Sequence, residues 1–424
     1  MDRKQMPIET GLADNPISIN ALKVVRRLTS QGYEAYLVGG CVRDLLLKRS
    51  PKDFDVSTNA HPDEVRELFK NSRSIGRRFK IVHVRYGRDI IEVATFRAPH
   101  ADNSANTTDT GLILSDNSYG SFSEDVFRRD FTVNALYYDD DTKEIRDLVD
   151  GLSDIDAKIL RLIGDSESRY REDPVRMLRA VRFKAKLGFT LSEDTEAPLK
   201  KLGHLLQGIP PARLFEEMLK LFMSGYGERA FEILLEYDLF GWLFPDSKIA
   251  MEKNERTKKL ISLSLASTDK RIKEEKPVTP AFVFAALLWH PFEIERDRLK
   301  ELGDTNAAFE AAGSVIGKQQ HFTSIPKRFS GPMREIWQIQ ARLGMRTGKK
   351  PEIMVVHRRF RAAYDFLLIR ELSGENLDNL GQWWTDYQEE NPEKRAEMTR
   401  HQPKSPAHRR RKRKPRKKPG EADG

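Results

Sequence analysis

The residues of this sequence best suited to chemistry are two aspartates in the stretch SPKDFDVSTNA, which begins at Ser50. Asp53 and Asp55 lie two positions apart in a predicted strand, where alternate side chains point to the same face. Two carboxylates held side by side repel each other and resist burial unless a cation neutralises them. Mg²⁺ takes oxygen ligands and leaves positions for substrate phosphates, so the spacing predicts a magnesium site. The alternative is a polar edge strand with two exposed aspartates.

A glycine turn, GGCVRD at residues 39–44, precedes the paired aspartates. Gly39 and Gly40 allow the backbone to approach a phosphate closely, and Arg43 at the start of the predicted helix adds positive charge. Two metal ions at the aspartates would activate an attacking hydroxyl and stabilise a departing pyrophosphate. The phosphate-loop pattern GxxxxGK(S/T) is absent and GxGxxG is not met here. Both observations argue against a P-loop ATPase and a dinucleotide site.

The elements around these motifs alternate between helix and strand up to about residue 150. Residues 17–30 have helical spacing of apolar side chains, and strands are predicted at YEAYLV, DFDVST, KIVHVRYG, RDIIEVATFR, FTVNALYYD and EIRDLVD. Residues 98–127 are polar and rich in turn-forming residues, which predicts a mobile loop. After about residue 153 the strand signals fade, and helical periodicity continues to about residue 400. The predicted fold class is α+β, with a mixed or antiparallel sheet followed by helices.

Composition restricts the cellular setting and the partners. The 424 residues include one cysteine, Cys41, which excludes an intrachain disulfide and a cysteine-based zinc cluster. No apolar run approaches the length of a membrane span and no secretory signal is recognisable, so we expect a cytoplasmic protein. The segment from His401 onward holds ten Lys or Arg residues and two acids, and therefore carries +8 of the net charge of +9. Its repelling charges predict a disordered arm that binds nucleic acid or another polyanion.

The motifs together resemble a known superfamily. GG-x-VRD followed by D-x-D is similar to the active-site opening of class II nucleotidyltransferases, the group of bacterial tRNA CCA-adding enzymes and bacterial poly(A) polymerases. Three further segments resemble motifs of this group in the same order: RRDFTVNAL (128–136), which contacts the ribose and triphosphate, DLVDGLSDI (147–155), which joins head and neck, and REDPVRMLRAVRF (171–183), which reads the nucleobase. The resemblance implies a nucleotidyltransferase head over residues 1–152, a helical neck over 153–222, a helical RNA-binding body over 223–400 and a disordered basic tail over 401–424.

The resemblance also implies roles for residues of the second motif. Arg129 and Asn134 are expected to bind the nucleotide. Asp130 is preferred as the third catalytic or site-organising carboxylate, and its alternative role is an ion pair with one of the neighbouring arginines. Glu92 lies in a strand that could pack beside DFD, so it remains a candidate for the third metal ligand.

The third motif permits an argument about base choice. Asp173 and Arg176 lie three positions apart on a predicted helix and are neighbours on one face, and Arg179 and Arg182 continue a basic stripe. A carboxylate accepts from an exocyclic amine and a guanidinium donates to a ring nitrogen, which suits adenine and cytosine. Guanine and uracil present the opposite groups there, at a cost on the order of 3 kcal/mol for each mismatch. The alternative is a surface Asp–Arg pair. Arg213 and Glu217 are expected to position this helix.

Two features favour poly(A) polymerases within the group. The segment Gly76-Arg77-Arg78-Phe79 resembles their pattern, and the tail fits an enzyme that holds diverse single-stranded RNA 3′ ends. The tail residues expected to bind RNA are Arg409, Arg410, Arg411, Lys412, Arg413 and Lys414. The resemblance implies a template-independent adenylyltransferase that uses ATP and two Mg²⁺ ions, with Mn²⁺ able to substitute, and that works beside RNA-decay proteins. The alternatives are a CCA- or A-adding tRNA nucleotidyltransferase and a catalytically silent RNA-binding module.

Overall fold

The computed structural model describes residues 17–76, 80–98 and 118–400, and it divides into two compact units, Met1–Ser330 and Gly331–Gly424. Three sequence predictions therefore lie partly or wholly outside the described residues: the Arg77–Phe79 segment, most of the loop over 98–127, and the RNA-binding tail. The predicted domain boundaries at residues 152 and 222 stay predictions, since the division into units falls elsewhere.

A seven-stranded sheet forms the base of the first unit. Its strands are β1 (Ala35–Val38), β2 (Asp55–Thr58), β3 (Ser72–Ile75), β4 (Ile81–Tyr86), β5 (Asp89–Thr95), β6 (Tyr137–Tyr138) and β7 (Ile145–Arg146). Their order is β3-β4-β5-β2-β1-β6-β7, and among the described strand pairs of this sheet only β2 and β5 run parallel. The predicted mixed sheet and α+β class are confirmed, although the short strand β3 was not predicted.

The parallel pairing of β2 with β5 determines which residues stand together at the centre of the sheet. A parallel pair needs a crossover connection, here a helix, α3 (Pro62–Leu68), followed by the hairpin of β3 and β4. The register places Asp55 directly opposite Glu92 and the buried Val56 opposite the buried Val93. Because side chains alternate across a sheet, the two carboxylates share one face and the two valines share the other.

Three further helices pack on this sheet: α1 (Ile19–Thr29), α2 (Gly40–Leu46) and α4 (Phe122–Arg128). The predicted helix α1 is confirmed, and its buried residues include Val25 and Leu28, whereas Ile19, another of its predicted apolar positions, is 66% exposed. The helix α4 corrects the prediction of a loop over residues 98–127. Ser121 and Glu124 form a capping box that starts this helix, and that signal was missed in the sequence.

The rest of the first unit is almost entirely helical, as predicted. Its helices are α5 (Gly151–Ala157), α6 (Ser166–Glu172), α7 (Val175–Leu187), α8 (Glu193–Glu196), α9 (Pro198–Leu202), α10 (Pro211–Phe222), α11 (Gly227–Glu236), α12 (Phe240–Leu243), α13 (Pro245–Lys253), α14 (Glu255–Lys273), α15 (Pro280–Leu287), α16 (Trp289–Glu301) and α17 (Ala307–Gln319). A two-residue parallel pair, β8 (Ile159–Leu160) and β9 (Thr190–Leu191), lies beside α7.

The helix α7 is important for the site because it contains Arg176, whereas the other predicted base-reading residue, Asp173, lies two residues before the helix begins. It follows Pro174 and ends at Gly188, whose φ of +79° is a left-handed conformation that favours glycine. Nine of its thirteen residues are buried, among them Arg176. A helix so extensively buried holds its polar side chains in fixed positions.

The second unit consists of helices. A long helix, α18 (Lys327–Leu343), crosses the division between the units, and it is followed by α19 (Lys350–Val355), α20 (Phe360–Leu372), α21 (Leu380–Glu389) and α22 (Pro392–Arg400). Trp384, Leu367 and Phe360 lie in its core. None of the helices within the described residues has the length and apolar character that a membrane crossing requires.

Candidate active site

The two predicted metal ligands lie at the start of β2. Asp55 is its first residue and is partly buried, whereas the exposed Asp53 precedes the strand. Burial, with smaller contributions from Glu92 and Asp53, raises the pKa of Asp55 to about 6, although the positive charge of Arg129 opposes this shift. The site therefore concentrates more negative charge than its protein neighbours neutralise.

This excess of negative charge fits a divalent cation. Asp55 and Glu92 lie opposite each other in the sheet, Asp53 adds a further negative charge, and oxygen donors are the ligands that Mg²⁺ and Mn²⁺ accept. The Nε2 of His83 lies 3.1 Å from Oε1 of Glu92. Within residues 17–76, 80–98 and 118–400, no three acidic, histidine or cysteine side chains are grouped so that they could hold a metal ion by themselves. A bound ion would therefore need ligands from the substrate as well.

The glycine turn connects β1 to α2 beside these carboxylates. Gly39 has a φ of +78° and a ψ of −129°, a conformation that side chains other than glycine rarely adopt. Its N–H donates to the carbonyl of Leu136 at 3.2 Å, which ties the turn to the second motif. Gly40 is the first residue of α2. Cys41 is buried, and burial raises its pKa to about 12, which does not suit a nucleophilic thiolate.

Arg43 is buried and fully engaged in contacts within the protein. Its Nε donates to Asp44 at 2.9 Å, and its Nη1 donates to the side-chain oxygen of Asn134. Lys186 of α7 binds the other oxygen of Asp44 at 3.0 Å. The geometry makes Arg43 a link between the glycine turn, the second motif and the neck, and direct nucleotide binding by Arg43, Gly39, Gly40 and Asn134 stays a prediction.

The side chain of Arg129 is positioned by two residues that were not predicted to take part. Its Nε donates to the hydroxyl of Tyr137 at 2.6 Å, and its Nη2 donates to Asp125 at 3.0 Å. Asp125 is buried on α4 and also accepts from Tyr137 at 2.6 Å and from Ser57 at 3.2 Å. Because α4 was read as a loop, this orienting carboxylate could not be recognised; its signal was the capping box four residues upstream.

Asp130 forms a buried ion pair with a residue of the neck. Arg179 of α7 approaches its Oδ2 with Nε at 2.6 Å and Nη2 at 2.5 Å. The other oxygen accepts from the N–H of Phe131 at 2.8 Å and from Asn134 at 3.3 Å. Burial alone would raise the pKa of Asp130, but Arg179 and these donors outweigh it and lower the pKa to about 2. Sequence reasoning left an ion pair of Asp130 with Arg128 or Arg129 as the alternative, and the structure instead pairs Asp130 with Arg179 of α7.

A concentration of arginines lies next to Arg129. Burial lowers the pKa of Arg128 to about 9, and the positive charges of four other arginines act in the same direction: Arg97, Arg129, Arg176 and Arg169. Arg169 is held here by two bonds, since its Nη2 donates to the carbonyls of Arg128 at 2.6 Å and of Arg129 at 2.7 Å. Like charges so close together favour a polyanion between them. Arg97, Arg128 and Arg169 were not predicted, although Arg128 stands in the motif itself.

The predicted base-reading residues each have a different partner from the one expected. Asp173 accepts from Arg213 of α10 at 2.6 Å, while Arg176 donates to Glu172 at 2.7 Å and to the carbonyl of Arg169 at 2.6 Å. Only the backbone joins the two directly, through a bond from the N–H of Arg176 to the carbonyl of Asp173 at 2.9 Å. Arg213 thus contacts the segment just before α7, and its role in positioning that helix stays a prediction. Base reading by Asp173 and Arg176 stays a prediction.

Phe183 of α7 is surrounded by the remaining predicted arginines. The guanidinium carbons of Arg43, Arg179 and Arg182 lie 5.3, 5.4 and 5.0 Å from the centre of its ring. Burial and the nearby charge of Arg179 lower the pKa of Arg182 to about 10, and Glu217 contacts its Nη1 at 3.4 Å. A single aromatic side chain thus orients cations from both the turn and the neck.

Three protein-family models match the chain in order: a Poly A polymerase head domain over residues 35–161, a probable RNA and SrmB-binding site of polymerase A over residues 188–251, and a polymerase A arginine-rich C-terminus over residues 300–418. A solved structure described as a tRNA-processing enzyme in an apo form covers 91% of this chain and 99% of its own, with a TM-score of 0.62 and 21% identity. At that identity the likeness concerns the fold alone.

Curated relatives define the similarity more closely. The CCA-adding enzyme of Lactobacillus helveticus is 40% identical, but the match covers 53% of this chain and 54% of that enzyme. Poly(A) polymerase I of Escherichia coli O157:H7 is 46% identical over 426 residues, which cover 98% of this chain and 92% of that protein. The chain therefore belongs to the bacterial poly(A) polymerase family of nucleotidyltransferases.

Proposed function

We propose that this enzyme transfers adenylate from ATP to RNA 3′ ends without a template and releases pyrophosphate. The observation that carries the proposal is the pairing of Asp55 with Glu92 on adjacent strands, with Asp53 and Arg129 close by. Carboxylates that can hold metal ions thus lie next to a concentration of arginines that can hold phosphates. A nucleoside triphosphate with bound metal ions has both kinds of group.

Asp53, Asp55 and Glu92 are the proposed ligands of two Mg²⁺ ions, for which Mn²⁺ can substitute. Such ions, when bound, activate an attacking hydroxyl and neutralise the charge that develops on the departing pyrophosphate. Glu92 is the better third ligand because it lies opposite Asp55 in the sheet. Asp130 is the proposed organiser of the site, because Arg179, Asn134 and the Phe131 N–H already occupy its carboxylate.

The arginines at the RRD motif are proposed to bind the triphosphate. Arg129 has its orientation set by Asp125 and Tyr137, so it needs little rearrangement to receive a phosphate. The crowding that lowers the pKa of Arg128 would be relieved by the negative charges of the triphosphate. The transfer needs no covalent enzyme intermediate, which agrees with the buried and inert thiol of Cys41.

Base selection is proposed to lie in the neck. Asp173 would accept from the adenine amine and Arg176 would donate to N1, which requires Asp173 to share its carboxylate with Arg213 and Arg176 to share its guanidinium with Glu172. Cytosine offers the same groups on a smaller frame. Its exclusion would depend on lost contact area, worth about 1–3 kcal/mol, so CTP should be rejected less sharply than GTP or UTP.

The RNA substrate is proposed to be a single-stranded 3′ end with little sequence preference. The match to an RNA-binding family model over residues 188–251 supports RNA as the second substrate. The tail cations from Arg409 to Lys414 add a sequence-independent attraction to phosphates. RNA-decay proteins as partners and a location in the cytoplasm are further parts of this proposal.

The decisive experiment supplies each of the four nucleotides separately, and then all together, with a generic RNA and with a tRNA that lacks its CCA end. We expect repeated incorporation of A from ATP on both RNAs and weak incorporation of the others. Addition of C, C and A to the tRNA followed by arrest would instead establish the CCA-adding alternative. Binding of RNA without any metal-dependent transfer would establish the silent RNA-binding alternative.

A further inference from the structure

A groove of about 400 Å³ opens beside Asp53. Its walls come from the segment before β2, the start of β5 and the residue before α1, and its lining includes Lys52, Asp53, Phe54, Arg88, Asp89 and Ile90. Asp53 is one of its lining residues, so a molecule in the groove lies beside a proposed metal ligand.

The groove and Arg129 lie at strands on opposite sides of β2 in the sheet. In the sheet order, β5 follows β2 on one side, whereas β1 and then β6 follow on the other. The groove is formed at β2 and β5, while Arg129 is held against Tyr137 of β6. The proposed triphosphate site therefore leaves the β5 side of the carboxylates available for the second substrate.

The charges of the groove suit phosphates. Lys52 and Arg88 are both exposed, and neither contacts an acidic side chain in the part of the chain that the structure describes. The one further acid of the wall, Asp89, already accepts a hydrogen bond from Asn20 at 2.8 Å. Two cations without acidic partners among the described residues thus line the same groove as Asp53, a proposed metal ligand.

The groove also offers apolar surface at the scale of a nucleoside. Phe54, which stands between Asp53 and Asp55 in the sequence, is partly buried, and Ile90 is 41% exposed at the start of β5. An aromatic ring with flanking cations is the usual composition of a site for single-stranded nucleic acid, because bases stack and phosphates pair with the cations.

We propose that this groove binds the 3′-terminal segment of the RNA that is extended. Lys52 and Arg88 contact its last two phosphates, and Phe54 and Ile90 pack against the terminal nucleoside. The inference rests on the proposed function, in which the 3′-oxygen forms a bond to the α-phosphorus of ATP. The bond from that phosphorus to the oxygen bridging to the β-phosphate breaks, pyrophosphate leaves, and the hydroxyl proton passes to water.

The test compares two double variants of the full chain. Lys52→Gln with Arg88→Gln removes the groove cations, and Lys23→Gln with Lys70→Gln removes two other exposed cations of the head that have no acidic contact among the described residues. Affinity for an oligoadenylate is measured without ATP over a tenfold range of salt. Two lost phosphate contacts reduce the slope of log K against log salt by about 1.4. Over the tenfold range of salt, the dissociation constant of the wild type should therefore rise about 25-fold more than that of the groove variant. The control variant should keep the wild-type slope.

A second readout locates the contacts on the RNA. Methylphosphonates at the last two linkages remove the charges that the groove is proposed to bind, so they should weaken binding to the wild type and not weaken binding to the groove variant further. Equal weakening in both proteins, or an unchanged salt slope in the groove variant, would overturn the inference. Weaker ATP binding with unchanged RNA binding would show a nucleotide subsite and would also overturn it. The proposed function is tested separately by measuring adenylate addition to RNA by the wild type. If the wild type adds no adenylate, the proposed function fails, whatever the groove variant does.

Discussion

The ion pair between Asp130 and Arg179 provides the clearest quantitative prediction. A carboxylate whose pKa falls from 3.8 to about 2 gains about 2.5 kcal/mol of folding stability when it is ionised. The substitution Asp130→Asn removes this charge but keeps the size of the side chain. It also leaves Arg179 largely buried without its counter-ion, and breaking one half of a buried pair costs about 3–5 kcal/mol. We therefore expect the variant to lose about 3 kcal/mol or more.

The pH dependence of this loss follows from the direction of the shift. The pKa of Asp130 is depressed in the folded state, so its stabilising effect is complete above pH 4 and is lost as the pH falls towards 2. Between pH 5 and pH 8 the difference between the wild type and Asp130→Asn should therefore stay constant. A difference that changes across this range would show that another group titrates with the pair.

A double-mutant cycle with Arg179→Met separates the pair from its surroundings. We expect the double variant to be more stable than Asp130→Asn alone, because the unpaired guanidinium is gone. Stability is measured by urea unfolding, followed through hydrogen exchange of α7 so that the first compact unit is read by itself. A coupling free energy near zero would refute the argument. If Asp130 organises the site through Arg179, Asp130→Asn should also retain measurable transfer, whereas loss of a direct metal ligand should abolish it.

Three further predictions concern charges at the site and in the tail. Asp55→Asn should abolish transfer yet stabilise the metal-free protein by about 1–3 kcal/mol at pH 7, because burial raises the pKa of Asp55 to about 6. Near pH 4 the wild-type carboxyl is protonated when folded, so the gain in stability should vanish there. Unfolding of both proteins at pH 7 and pH 4 checks this. Arg128→Gln should weaken ATP binding by about 1.5–3 kcal/mol, measured by calorimetry, because the triphosphate loses a charged donor; unchanged ATP affinity would exclude contact of Arg128 with the triphosphate. Deletion of residues 401–424 should flatten the salt dependence of RNA binding and leave ATP affinity unchanged, and an equal slope in both proteins would exclude contact of the tail with RNA.

The parts of the fold that could be predicted are those with a local signal. The apolar spacing of α1 and the alternation in β4 and β5 specify their type within a few neighbouring residues. The spacing of Asp53 and Asp55 predicted a shared side, and the raised pKa of Asp55 agrees with close negative charges. The helix α4 also had a local signal, but its capping box stands in a polar context that suggests a loop.

The contacts that decide the site could not be predicted, because they join residues far apart in the chain. The sequence favoured Asp130 over Glu92 as the third carboxylate, but the register places Glu92 opposite Asp55, and Arg179 of α7 pairs with Asp130. The same holds for Asp173, whose partner Arg213 belongs to another helix. Helical spacing places two side chains on one face, but the partner of each depends on which charges the surrounding elements bring near.

The parallel pairing of β2 with β5 also has a consequence for how the enzyme matures. Asp55 and Glu92 are separated in the chain by α3 and the hairpin of β3 and β4, so their strands can meet only after that whole segment has been synthesised and folded back. Loop closure of this length is slow compared with formation of a helix or hairpin. A ribosome-bound chain that ends before β5 would contain the glycine turn and both aspartates yet lack the third carboxylate. The nascent protein is therefore expected to bring the three proposed metal ligands together only after β5 has been synthesised, while α4, β6 and β7 are still to follow.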